Sequence, residues 1–148
     1  MLDIRFSSAL AVMFFLAIAE EEGAPVVSSG QLAERVGANP SLVRKLLVPL
    51  GHAGLVESIK GRAGGTRLAR PAEAITLAEI YRCAVGDKPL WVCRPEVESG
   101  CVGAAHASAY FEDLTARAEG AVLAMLNQET LADGLRASRS HCAPGHAG

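Results

Sequence analysis

Aromatic residues are scarce in this chain: Phe, Trp and Tyr make up 5% of its 148 residues. Ala, Leu and Val carry the apolar half of the composition instead, which favours closely packed helices over a β-sandwich. Four cysteines, Cys83, Cys93, Cys101 and Cys142, form no C-x-x-C pair and fit no zinc-ribbon or zinc-finger spacing. They are too few for a secreted disulfide scaffold, so reduced thiols and a cytoplasmic location are expected. His52, His106, His141 and His146 are scattered, and no metal site is expected from them. Nucleophile and metalloprotease motifs are lacking, and the clustered acids Glu20–Glu22 fall at a helix end where solvation explains them. No enzyme is therefore expected. Internal repeats and low-complexity tracts are lacking as well.

Long hydrophobic runs are also missing, with one short imitation. Ser8–Ala19 is apolar, follows Arg5 and ends Ala17-Ile18-Ala19, in the manner of a signal peptide. Asp3 offsets the early cation, and the run is too short to cross a bilayer. It reads better as a buried first helix, with no membrane partner.

What the chain does have is a local excess of positive charge that its net charge of −2 conceals. Between Arg35 and Arg70 stand Arg35, Arg44, Lys45, Lys60, Arg62, Arg67 and Arg70 against the single acid Glu57. The same stretch reads as two short amphipathic helices around a turn, then two strands with a Gly-Arg-rich tip. Cations clustered on a helix-turn-helix and a hairpin are the electrostatic footprint of a winged DNA reader.

A first helix covers Phe6 or Ser7 to Glu22, capped by a serine and stopped by Gly23 and Pro25. Being apolar on nearly every side, it belongs at the centre of the core. Ser28 or Ser29 caps a helix over Gly30–Val36, and Gly37 supplies the positive φ of the turn. Asn39 caps the next helix with Pro40 in its first turn. Leu42 or Val43, Leu46, Leu47 and Leu50 form its buried stripe, while Ser41, Arg44, Lys45 and Val48 face elsewhere. Pro49 is expected to bend or tighten the last turn. Leu55–Ile59 and Thr66–Ala69 are strands around the tip Gly61–Gly65. Thr76 and Glu79 make a capping box for a helix to Val85. Ala104–Leu126 is a long helix in which Tyr110 or Phe111, Leu114, Ala118, Ala121 or Val122, and Met125 recur at helical steps.

With these residues in view the chain resembles the Rrf2 family of bacterial transcription regulators, over nearly its whole length. The resemblance lies in Ser7-Ser8-Ala9-Leu10, Leu32-Ala33-Glu34-Arg35, Asn39-Pro40-Ser41, Ala53-Gly54-Leu55-Val56 and Gly61-x-x-Gly64-Gly65-x-x-Leu68. It continues through Ile75-Thr76-Leu77-x-Glu79-Ile80, Cys101-x-Gly103 and Thr130-Leu131-Ala132. It implies a mainly α fold with a small β-wing: a winged helix-turn-helix domain plus a long C-terminal dimerisation helix. Homodimers of this kind read inverted-repeat operators in double-stranded DNA, usually as repressors. Many members sense iron–sulfur status, nitric oxide, thiol oxidants or cysteine metabolism between wing and dimer helix. The corresponding division is 1–85 for the DNA-binding domain, 86–103 for a cysteine-containing sensor loop, 104–136 for the dimerisation helix region and 137–148 for a flexible tail.

Two departures, Leu42 after Ser41 and Thr66 after the wing glycines, replace aromatics usual in the family; an altered operator preference is expected. The thiols depart further. Cluster-binding members resemble one another in three closely spaced cysteines, whereas only Cys93 and Cys101 fall in this loop. No cofactor is expected, the alternative being an atypical iron–sulfur site completed by His106 or a carboxylate.

For the DNA contacts, Arg44 is expected to pair bidentately with guanine in the major groove. Ser41 and Lys45 are assigned to phosphates, Arg62 to a minor groove, and Lys60 and Arg67 to the backbone. Ser29, Gln31 and Asn39 at the helix starts join this set. Gly64 and Gly65 allow a tight tip and close backbone approach. Cys93 beside Arg94, Cys101 ahead of the long helix and Cys142 beside His141 are the redox-sensing candidates, while Cys83 reads as a core filler. Two other readings stay open: a winged helix that docks an acidic protein, and a regulator that senses a bound small molecule.

Overall fold

A computed structural model describes residues 3–92 and 102–142, leaving aside the side chains of 102–105. Its elements are α1 (Arg5–Glu21), α2 (Ser29–Val36), α3 (Pro40–His52), β1 (Val56–Ile59), β2 (Gly65–Leu68), a 3-10 turn (Ala72–Ala74), α4 (Leu77–Val85), α5 (Val102–Asn127) and α6 (Leu131–His141). The mainly helical fold with a small wing is the one the resemblance implies.

The apolar run becomes α1, and its Ala9, Val12, Met13, Leu16 and Ala17 are buried. It packs against α2, α3, α4, α6 and β2, so one helix seats the whole core. No serine caps it, contrary to the sequence reading. Ile4 holds the cap position, and Asp3 accepts from the Arg5 N–H at 3.0 Å while Ser7 Oγ donates back to Ile4 O. Hydrogen bonds from the Arg5 side chain and backbone hold the Asp3 carboxyl well below the usual carboxylate range.

Helices α2 and α3 follow the sequence reading closely. Ser28 and Gln31 close a capping box on α2, Gly37 takes the left-handed turn at φ 68°, and Asn39 accepts from Ser41 N at 2.8 Å. Val43, Leu46 and Leu50 are buried, with Leu42 and Leu47 half-buried. Pro49 lies inside α3, and the exit is tightened by a bond from Gly54 N–H to Gly51 O.

β1 and β2 pair antiparallel from Val56↔Leu68 to Ile59↔Gly65. β2 also gains a partner on its other edge, because Val27 N donates to Thr66 O and Thr66 N to Val27 O at 2.9 and 2.8 Å. The wing is thereby pinned to the entry of α2.

Thr76 and Glu79 form the expected capping box on α4. A second box, Thr130 with Asp133, starts α6, and the two caps lie back to back: Leu77 N donates to Glu129 O and Leu131 N to Ile75 O at 2.9 and 2.8 Å. The chain does not turn into a loose tail at Ala137, contrary to the expectation from sequence. α6 is helical through His141, because Leu131, Ala132 and Leu135 are buried and hold it on the core. On α5, Phe111 and Val122 face the protein, while Tyr110 and Met125 are 62% and 56% exposed. Leu126, not Met125, closes the buried stripe.

Candidate nucleic-acid interface

α3 and the wing converge on a cleft of about 710 Å3. Five of the expected contact residues line it: Ser29 from the first turn of α2, Arg44 from α3, and Lys60, Gly64 and Gly65 from the wing. Leu47, Val48, His52 and Ser58 line it as well, and sequence reading missed them. A signal was available, since Val48 and His52 follow Arg44 at steps of four and therefore share its face. Ser41, Lys45 and Arg62 are exposed and do not line the cleft. Gln31 and Asn39 have their side-chain oxygens committed to capping α2 and α3.

The seven cations divide into two groups. Arg35 stands 6.0 Å from the Phe15 ring centroid. Arg67 pairs with Glu57 across the strands, and Arg70 with Glu79 at 2.7 Å. Arg44, Lys45, Lys60 and Arg62 have no carboxylate partner among the described residues. All four are exposed, and Arg44 and Lys60 line the cleft from α3 and from the wing. Uncompensated charge of one sign on a concave face concentrates the local field and attracts polyanions.

The close approach afforded by the wing glycines is made to the protein itself. A Cβ on Gly65 would stand 2.4 Å from Val27 O, and one on Gly64 2.4 Å from Ile59 O. These residues shape the wing and let it press against the strand-like link before α2.

The thiol candidates Cys93 and Cys101 lie outside the described residues. Cys83 is half-buried on α4, where burial, then the Glu79 carboxylate, pushes its thiol upward. This matches the filler reading and makes it a poor thiolate ligand. Cys142 is exposed at the C-terminal cap of α6. No group of three or more His, Cys, Asp or Glu side chains comes together among the described residues.

The family model described as Rrf2, iron-dependent transcriptional regulator, matches residues 2–137. The chain belongs to the Rrf2 family. This Rrf2 protein is 39% identical over 72 residues to the HTH-type transcriptional regulator IscR of Cereibacter sphaeroides, covering 49% of this chain and 46% of that one. It spans about half the length of the first curated relatives it matches. Among solved structures it is similar to T. potens IscR, with TM-score 0.68 and 25% identity over 93% of this chain and 88% of that one. It is also similar to CymR, the global cysteine regulator of B. subtilis, with TM-score 0.66 and 28% identity over 92% and 96% of the two chains. The family match spans every element from α1 to α5, including α3 and the hairpin, and most of α6.

Proposed function

We propose that this Rrf2 protein is a sequence-specific DNA-binding transcriptional regulator, acting in the cytoplasm as a homodimer that represses from an inverted-repeat operator. One observation carries the reading. Arg44 on α3 and Lys60 on the wing line one cleft without carboxylate partners among the described residues, and the exposed Lys45 and Arg62 close to them in sequence have none either. Relatives named as transcriptional regulators support the same activity. A recognition helix presents one face to base edges in the major groove while the wing holds an adjacent backbone. Among the described residues no helix is long and apolar enough to cross a membrane.

The dimer uses α5, whose Tyr110, Ala121, Ala124 and Met125 are exposed along a helix of 26 residues. Cys101 immediately precedes α5, so a thiol signal at Cys93 and Cys101 acts on the angle between the two DNA-binding heads. A few kcal/mol of preference for one dimer geometry is enough to shift operator occupancy substantially.

The test is selection of a preferred duplex from a random pool, followed by titration at increasing salt. A preferred site whose affinity falls steeply with salt supports the reading, because neutralised phosphates release counterions. Binding without site preference, or none at low ionic strength, overturns it. Replacing both Cys93 and Cys101 by Ser should abolish the response to thiol oxidants; a preserved response rules out thiol sensing.

A further inference from the structure

We propose that Val48 reads the 5-methyl group of a thymine in each operator half-site, a contact that rests on the DNA-binding reading above. Val48 is 56% exposed, whereas Leu42, Val43, Leu46, Leu47 and Leu50 on the same helix are buried or half-buried. A branched aliphatic side chain gains nothing from contact with water. Its surroundings are cationic: Arg44 one turn earlier on α3 and Lys60 across the cleft line the same depression. No carboxylate pairs with either cation among the described residues, so the occupant that suits the charge is a polyanion.

Within a polyanionic duplex, the base-edge feature in the major groove that suits an aliphatic side chain is the thymine methyl; the other edge groups are hydrogen-bond donors and acceptors. Val48 follows Arg44 by four residues, about 6 Å along the helix axis. That separation corresponds to about two base steps of roughly 3.4 Å each. The pair therefore reads a thymine about two steps from the base that meets Arg44. Half-buried Leu47 lines the cleft beside Val48.

The experiment starts from the duplex selected from a random pool. Each thymine is replaced in turn by uracil, which removes the methyl group and preserves base pairing. Dissociation constants are then measured for the wild-type protein and for Val48→Ala. At one thymine per half-site, uracil should weaken wild-type binding about three- to fourfold, the effect of one buried carbon. Val48→Ala should bind the thymine duplex more weakly by a similar factor and be indifferent to uracil at that position. The methyl contact is overturned if uracil is neutral everywhere for the wild type, or if its cost persists unchanged in Val48→Ala, while site-selective binding remains. A selection that yields no preferred duplex overturns the DNA-reading itself, so the two failures are told apart.

Discussion

Arg44 and Lys60 line one cleft but have different tasks on the proposed reading, and their substitution should show it. Arg44→Ala removes the guanidinium offered to a base edge and should relax sequence preference at one position, costing about 1–3 kcal/mol on the preferred site. Lys60→Ala should weaken binding to all duplexes alike and lower the salt slope by about one. Titrations against preferred and scrambled duplexes separate these outcomes. Gly65 carries a prediction of a different kind. Gly65→Ala places a Cβ 2.4 Å from Val27 O, against backbone that is itself held by the Val27–Thr66 bonds. Overpacking of this kind should lower stability by about 1–3 kcal/mol, read from the urea midpoint. An unchanged midpoint would mean the wing is not pinned there.

At the scale of elements, the point of interest is the junction of β2, α4 and α6. Arg70, just beyond β2, donates to Glu79, and Glu79 accepts from Thr76 N at 2.9 Å to cap α4. Thr76 bridges to Thr130, the cap of α6. The Glu79 carboxylate thus ties the end of the wing to α4, and the backbone bridge at Thr76 and Thr130 ties α4 to α6. Partial burial opposes the charge on Glu79, but the Thr76 N–H bond and the Arg70 guanidinium outweigh it and lower its pKa. A carboxyl whose folded pKa lies below its unfolded value stabilises fully above the unfolded pKa and loses that contribution as pH falls through the folded pKa. Wild type should therefore lose stability more steeply than Glu79→Gln as pH is lowered from neutrality through the carboxylate range. Urea midpoints at stepped pH check it, and parallel curves would remove Glu79 from this role.

For the whole molecule, the consequence concerns association. Met125 and Tyr110 are exposed on α5, and Met125 contributes nothing to the monomer's core. On the proposed homodimer, Met125→Glu should leave the folded monomer intact and place repelling charges at a shared interface. Sedimentation should then show a monomer, and operator affinity should fall at least about tenfold as the two heads lose their common anchor. A Met125→Glu protein that remains dimeric would assign the interface elsewhere.

Much of this was legible because the determinants are local. Caps at Ser28, Asn39 and Thr76, Gly37 in its left-handed turn and the apolar face of α3 are decided within a few residues, by backbone bonds that short polar side chains satisfy. Composition and the run of cations, read together, led to a winged helix with a polyanionic partner. What required the assembled fold was the pairing of distant groups. Glu57 and Glu79 neutralise Arg67 and Arg70 and Arg35 stands over Phe15, leaving Arg44, Lys45, Lys60 and Arg62 exposed, and that division depends on strand register and on where α4 docks. Folding of α6 onto the core, the back-to-back caps and the entry of Val48 into the cleft are likewise tertiary. Each results from contacts between residues far apart along the chain, where sequence spacing carries no distance information.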